Sequence, residues 1–282
     1  MKLLEGKPIA ARIKEELKKQ VQELGLKPVL VSIQAGENAG AEAYARSQKK
    51  TAESLDIEYE FHKLSQEISE KELIEFIQKF NQDKRISGII LQMPLPAHIN
   101  YKKMSNFILP EKDVEGMHPA NIGKILFGQT KIAPCTAAAV MELLKDTGIG
   151  LYGKDVVVVG HSEIVGKPLS LLLLEKFATV AVCHIGTSKA GKLQEYVKRA
   201  EILIVAVGKA GLIKGDWVKQ GAMVIDVGIN RIEGKIVGDV EFEAASKRAG
   251  FITPVPGGVG PLTVTMLMRN VIEAAKLIDR NT

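Results

Sequence analysis

The clearest chemistry in this 282-residue chain lies in the segment DVVVVGHSEIVGKP, residues 155–168. A near-continuous apolar run turns at Gly160 toward a helix. That is where a Rossmann fold seats a pyrophosphate, with backbone N–H groups and the positive helix end facing the anion. The spacing is G-x-S-x-x-x-G, not G-x-G-x-x-G, so a tight strand-to-helix turn without a ligand stays open as a second reading. A nucleophile elbow, G-x-S-x-G, does not fit, because Ile164 stands at its last glycine position. The following strand ends Cys183-His184, with no acid to hold ribose hydroxyls or repel a 2′-phosphate. That leans the dinucleotide toward NADP over NAD.

The elements that must position this loop alternate between helix and strand. A first amphipathic helix spans about Gly6 to Leu24, and a short apolar strand follows over Pro28–Ile33. Gly36 to Gly40 form a loop, Glu42 to Leu55 a helix and Ile57–Leu64 a strand. Apolar residues at helical spacing (Leu73, Ile74, Ile77, Phe80) predict a helix over Ser69 to Asn81, before a strand over Ile86–Gln92. Pro94 and Pro96 stop that strand and mark a loop at its carboxyl end, where open α/β sheets bind ligands. The stretch from Pro110 to Pro134 lacks periodicity and reads as a loop-rich end to a first domain. Thr136 is the expected cap of a helix reaching Asp146.

The alternation then restarts. Asp155–Val159 is a strand buried on both faces, followed by a helix over Pro168–Phe177, a strand over Thr179–Cys183 and a helix over Lys192–Arg199. Strands over Ile202–Val207 and Met223–Val227 precede a Gly/Pro loop, Pro254–Pro261, and a last helix over Thr263–Asp279. Such alternation predicts mostly parallel sheets in an α/β fold.

The bulk composition excludes several classes. With 46% apolar and 25% charged residues the chain is ordinary and globular. Aromatics at 5% leave little base-stacking surface, and a net charge of +5 spread along the chain suits solubility or a small anionic ligand better than nucleic acid. No apolar run approaches the roughly 20 residues of a membrane span. The N-terminus carries charges where a signal peptide needs its apolar core and reads as an amphipathic helix. Cys135 and Cys183 lack metal spacing and cannot build a disulfide framework, so a cytoplasmic location is expected. His62, His98, His118 and His184 share no ligand spacing, and no metal site is expected.

Five motifs in order carry a resemblance over nearly the whole chain: GIILQMPLP (88–96), PEKDVEGMHPANIGK (110–124), GHSEIVGKP (160–168), DVGIN (226–230) and PVPGGVGPLT (254–263). The sequence resembles the FolD family, methylenetetrahydrofolate dehydrogenase/cyclohydrolase. The resemblance implies two α/β domains with a catalytic cleft between them. One is an αβα folate domain, residues 1–120 with 263–282; the other is a doubly wound Rossmann domain, residues 121–262. It also implies a homodimer in one-carbon metabolism, with tetrahydrofolate derivatives as substrate and NADP, or else NAD, as cofactor. The family's active-site tyrosine and glutamine match Tyr44 and Gln92. The loop residues Pro256, Gly257, Gly258, Val259 and Pro261 would close on the folate and nicotinamide. Gly160, His161, Ser162, Ile164, Val165, Gly208 and Ile229 match the cofactor side.

The departures are as informative. Where the family has Y-x-x-x-K, this chain has Tyr44 and Gln48, which share a helix face, while Lys49 and Lys50 point elsewhere. Hydride transfer depends mainly on positioning. Water addition and ring opening need protons moved, which a buried lysine does and an amide cannot. The expectation is a dehydrogenase whose cyclohydrolase step is weak or lost. The alternatives are a full bifunctional enzyme and a silent folate or dinucleotide binder. Glu115 replaces the family's aspartate, which would pair with the donor edge of the pterin. His161 replaces an arginine and Ile185 a serine near the adenosine phosphate, which weakens a strict NADP preference. Ala137 and Ala139 stand where the family has proline and glycine, a change of local backbone shape.

Overall fold

The structure is a computed structural model and describes residues 1–279; residues 280–282, the end of the expected folate domain, lie outside it. In chain order the first elements are β1 (Lys2–Leu3), α1 (Gly6–Gln22), β2 (Val29–Ala35), α2 (Ala39–Ser54), β3 (Glu58–Leu64), α3 (Glu70–Gln82) and β4 (Gly88–Leu91). Next come α4 (Tyr101–Ser105), α5 (Pro119–Leu126), α6 (Cys135–Asp146), β5 (Asp155–Val159), α7 (Gly166–Glu175), β6 (Thr179–Cys183), α8 (Ile185–Lys189) and α9 (Leu193–Arg199). The chain ends with β7 (Ile202–Val205), β8 (Met223–Asp226), β9 (Asn230–Ile232), β10 (Lys235–Val237), α10 (Phe242–Ser246), β11 (Phe251–Ile252) and α11 (Gly260–Asp279). They form two compact units: Arg12–Cys135 with the chain from Val264 on, and Met1–Ala11 with Thr136–Thr263.

The first unit is built on a parallel sheet in the order β3-β2-β4. Val29, Val31, Ile33, Ile89 and Leu91 face one side, where Leu73, Ile77 and Phe80 of α3 and Met104 of α4 complete the core. A capping box between Ser69 and Glu72 starts α3 and sets its apolar stripe toward that core. On the other face the register pairs Leu30 with Tyr59 and Gly88, and Ser32 with Phe61 and Ile90. Strand alternation therefore aligns Tyr59, Ser32 and Gln92 on one side of the sheet.

Two expectations need correction here. Part of the stretch from Pro110 to Pro134 is helical: α5 starts with Pro119 at N1, and the His118 ring accepts from Ala120 N at 3.1 Å. Eight residues are too few to show a period, though proline at a helix start is a usable signal. Thr136 does not cap α6, because the helix already begins at Cys135.

Buried Lys112 closes the end of α3. Its Nζ donates to the carbonyls of Phe80 (2.9 Å), Asn81 (2.8 Å) and Asp83 (2.7 Å), the acceptors a helix C-terminus leaves unpaired. Lys112→Met should lower unfolding stability by about 1–3 kcal/mol, read as a shifted urea midpoint with the m-value unchanged.

The second unit holds a parallel six-stranded sheet, β1-β11-β8-β7-β5-β6. From β5 the chain moves outward to β6, then crosses back to β7 on the other side. The direction reverses at the carboxyl end of β5, the switch point where such sheets bind nucleotides. Val157, Val159, Leu203, Val205 and Val224 fill the core with Leu193 and Val197 of α9. Pro168 sits inside the first turn of α7, which begins at Gly166 rather than at the proline.

The first eleven residues join this unit. β1 pairs with β11 (Lys2↔Phe251, Leu3↔Ile252), and Gly6 N donates to Gly257 O at 2.8 Å. The two units therefore part from the expected 1–120 with 263–282 and 121–262 in where the first eleven residues fall and in the break after Cys135. Strands of two residues, such as β1 and β11, carry no readable alternation. No helix among the described residues is long and apolar enough to cross a membrane.

Candidate functional site

Asn38 starts α2 by accepting from Ala41 N at 2.9 Å. This helix presents Tyr44 and Gln48, four residues apart, to the sheet face carrying Gln92. Gln48 is wholly buried. Its Oε1 accepts from the Tyr59 hydroxyl at 2.9 Å and from Gln92 Nε2 at 2.7 Å. Gln92 Nε2 also donates to Ser32 Oγ at 2.9 Å. The amide of Gln92 has thus spent both donors, and Nε2 of Gln48 is a buried donor without a partner among the described residues. Lys49 and Lys50 are exposed, and Lys49 approaches Glu53 at 3.9 Å. Tyr44, Gln92 and Glu115, with Asn38 and Met93, line a cavity of about 290 Å³.

The segment around Glu115 is anchored residue by residue. Asp113 accepts from Gly116 N (3.1 Å), His118 N (2.7 Å) and Asn121 Nδ2 (3.0 Å). Asn270 of α11 donates to the carbonyls of Val114 (2.8 Å) and Ala133 (2.9 Å). Gly116 has φ +76°, and a Cβ there would lie 2.5 Å from the Ala133 carbonyl carbon. These contacts leave Glu115 facing the cavity, where its Oε2 accepts from the Tyr101 hydroxyl at 2.8 Å.

Burial sets the charge states. The Tyr44 phenol is pushed above its ordinary range, first by lost hydration and then by Cys135 and Glu115 nearby. Tyr59 is pushed up to about 12 by burial. Both are neutral O–H groups near pH 7. Glu115 is pushed up to about 7 by burial and by Asp113, against the pull of its bond from Tyr101.

A raised carboxyl has a definite sign in stability. Between its ordinary value of 4.5 and about 7, folded Glu115 holds a proton that the unfolded chain has lost. Its contribution is full below 4.5 and is lost as pH rises through 7. The stability of Glu115→Gln should therefore fall less than that of the parent chain between pH 5 and 7.5. Parallel pH profiles in urea titrations would show that the carboxyl is not shifted.

The other sequence-predicted residues lie in the second unit. Gly160, at φ +125°, ends β5; its N–H donates to Cys183 O at 2.8 Å, and a Cβ would meet Ala206 O at 2.3 Å. Gly166 is equally confined, with Gly160 O 2.1 Å from its absent Cβ. Ser162 Oγ accepts from Val165 N at 3.2 Å and the Ser162 carbonyl from Lys167 N at 3.0 Å, and no side chain caps α7 at Val165. Val207 N and Gly208 N donate to one oxygen of buried Asp239, at 2.7 and 2.9 Å, and Asn230 Nδ2 donates to the other at 2.9 Å. Ile164, Val207 and Ile229 stay 44%, 37% and 67% exposed. All three leave apolar surface open to solvent. Asp239 thus takes up the Val207, Gly208 and Asn230 donors, and the part of this unit that would face a dinucleotide pyrophosphate is the glycine-bounded turn of residues 160–166 at the carboxyl end of β5.

The loop with Pro256, Gly257, Gly258, Val259 and Pro261 also belongs to the second unit. Gly6 permits its close approach, since a Cβ there would lie 1.9 Å from Gly258 O. The peptides Met93-Pro94 and Val255-Pro256 are both cis. Among the described residues no cluster of His, Cys, Asp or Glu is placed to hold a metal ion.

Sequence reasoning passed over Tyr59, Ser32 and Tyr101. The available signal was polar residues interrupting strands otherwise read as apolar; for Tyr101 there was none.

Comparison with known proteins bears on both units. A family model described as the catalytic domain of tetrahydrofolate dehydrogenase/cyclohydrolase matches residues 4–115. Its NAD(P)-binding domain matches residues 134–279. A relative from Acetivibrio thermocellus, described as bifunctional protein FolD, is 50% identical over 280 residues, covering 98% of this chain and 97% of the relative. The crystal structure of the bifunctional FolD enzyme from Campylobacter jejuni superposes with a TM-score of 0.95 at 45% identity, covering 98% of this chain and 99% of that one. The Trypanosoma brucei enzyme, solved with NADP and an inhibitor, gives 0.92 at 36% identity over 98% and 97% of the two chains.

Proposed function

This chain belongs to the tetrahydrofolate dehydrogenase/cyclohydrolase family, and from that premise we propose that it oxidises 5,10-methylenetetrahydrofolate to the methenyl form while contributing little to its hydrolysis. NADP, when bound, supplies the hydride acceptor. The observation that carries this reading is the buried amide of Gln48, fixed between Tyr59 and Gln92. Among the described residues no ionisable nitrogen enters the network of Gln48, Gln92, Ser32 and Tyr59. Oxidation needs the folate held in line, and lone pairs on the folate nitrogens stabilise the cation that forms. Tyr44, Gln92 and Glu115 line the cavity that would hold it. Hydrolysis needs a group that exchanges protons near neutrality, and Gln48 offers none.

A second reading has its own support. The relative that is 50% identical is described as bifunctional, and Glu115, at about 7, is a titratable group lining the same cavity. In that reading Glu115 moves the protons. A paired assay separates the two: oxidation of methylenetetrahydrofolate with NADP and with NAD, then hydrolysis of methenyltetrahydrofolate above its spontaneous rate. Oxidation without enzymatic hydrolysis supports the first reading, and rapid hydrolysis supports the second. Neither activity would leave only a silent binder. The family's homodimer is carried with the proposal and is checked by sedimentation.

A further inference from the structure

Two carboxylates are buried at the base of the β9–β10 hairpin. Asp226 ends β8 on one foot of the hairpin, and Asp239 lies just after β10 on the other. Each is seated on a glycine of the opposite foot. A Cβ on Gly238 would lie 2.0 Å from Asp226 Oδ2, and one on Gly228 would lie 2.2 Å from Asp239 Cγ. Any side chain at either glycine would displace a carboxylate that hydrogen bonds hold in place.

The two carboxylates face different parts of the unit. Asp226 Oδ1 accepts from Gly228 N at 2.9 Å and from Asp239 N at 3.0 Å, and Oδ2 accepts from Val240 N at 2.9 Å. The Asp226 N–H donates to buried Thr253 Oγ1 at 2.8 Å, just beyond β11. Asp226 thus closes the hairpin base and seats Asp239. Asp239 reaches the segment after β7: one oxygen accepts from Val207 N and Gly208 N, at 2.7 and 2.9 Å, while Asn230 Nδ2 donates to the other at 2.9 Å. Gly208 lies at φ +66°, a backbone shape that lets successive N–H groups converge on one anionic oxygen. A trans peptide sets its C=O opposite its N–H, so the carbonyls of Ala206 and Val207 are turned away from Asp239. The Ala206 oxygen is the atom that would meet a Cβ on Gly160, at 2.3 Å. The Val207 oxygen accepts no hydrogen bond among the described residues.

Asp239 therefore fixes the backbone that follows β7 and, through Asn230, the segment that follows β8. In a doubly wound sheet the two halves of a dinucleotide lie on either side of the switch point, the adenosine over the first two strands. Here β6 lies on one side of β5, and β7 and β8 lie on the other. The segments that Asp239 holds border the half away from β6.

We infer that Asp239, seated by Asp226, is a positioning residue for the nicotinamide half of the cofactor. It acts from beneath, by setting the backbone of 206–208 and 228–230 against which that half rests. This rests on the dinucleotide reading of the Gly160 turn and goes beyond it by dividing the site: the buried carboxylate governs one half, and the turn of residues 160–166 serves the other.

The test is binding to the full chain of NADPH, followed by its nicotinamide fluorescence, and of 2′,5′-ADP, followed by calorimetry. Asp239→Ala leaves the Val207, Gly208 and Asn230 donors unpaired and should weaken NADPH by about 100-fold. Affinity for 2′,5′-ADP should stay within about twofold, because its half of the site shares no partner with Asp239. Asp239→Asn keeps an acceptor oxygen but loses the charge, and should weaken NADPH by about 3–10-fold, again sparing 2′,5′-ADP. Without cofactor, amide exchange at Val207 and Gly208 should quicken about tenfold in that variant while Val158 in β5 is unmoved. Should Asp239→Ala fail to fold, the asparagine variant decides alone. If it binds NADPH as tightly as the parent, or loses both ligands equally, Asp239 supports the fold and positions nothing. A parent chain that binds neither ligand would remove the dinucleotide reading itself and the inference with it.

Discussion

Replacing Gln48 by lysine should raise hydrolysis of methenyltetrahydrofolate by about 10²–10⁴-fold while oxidation changes only modestly. The site can take the new side chain. Gln48 Oε1 now accepts from Gln92 Nε2 and from the Tyr59 hydroxyl. A lysine ammonium there needs acceptors, and both neighbours can supply them. The Gln92 amide turns over to offer its oxygen, and the Tyr59 hydroxyl rotates to offer a lone pair. Gln48 has no exposed surface, so the ammonium would be desolvated and its proton loosened toward neutral pH. That is the property water addition and ring opening require. Hydride transfer asks only that the folate stay in place, so retained oxidation also reports that the variant has folded. Gln48→Met serves as the control, since it fills similar space without titrating. If lysine leaves oxidation intact and hydrolysis unmoved, position 48 does not govern the second reaction. A parent chain that already hydrolyses rapidly would say the same.

The sequence made the switch-point turn legible because it concentrates constraint: four valines, then a glycine at φ +125° that nothing with a Cβ could replace. The Y-x-x-x-Q spacing was equally readable, since helical geometry alone puts Tyr44 and Gln48 on one face. What surrounds Gln48 was not. Tyr59 reaches it, and Ser32 reaches its partner Gln92, through strand register, a long-range property no local window contains. The same holds for Lys112, whose three carbonyl partners lie some thirty residues earlier, and for Asn270, which reaches back to Val114. The short α8 and the β9–β10 hairpin were invisible because five and three residues carry no period.

Glu115→Ala should lower kcat/KM for the folate by about 10²–10³-fold, mostly through KM. The reasoning runs from the carboxylate outward. Asp113, Gly116 and Asn270 hold the segment so that only Glu115 turns to the cavity. A charged hydrogen bond is worth about 1.5–3 kcal/mol, and a bidentate pair to the pterin's donor edge makes two of them. Those contacts lie far from the reacting carbon and are equally strong in ground and transition states, so their loss raises KM and largely spares kcat. The raised carboxyl adds a second signature. With Glu115 at about 7, the group is protonated below that pH and presents a hydroxyl donor to a donor edge. KM for the folate should therefore climb by about tenfold per pH unit on the acid side of 7. Glu115→Gln should flatten that profile at a uniformly high KM, because an amide offers one acceptor and no charge. Glu115→Asp should keep the slope, since the charge survives while the reach to Tyr101 shortens by one methylene. An unchanged KM in Glu115→Ala would remove this residue from the folate site. A flat profile in the parent chain would instead leave it there as a permanently ionised carboxylate, and would take from the second reading its proton carrier.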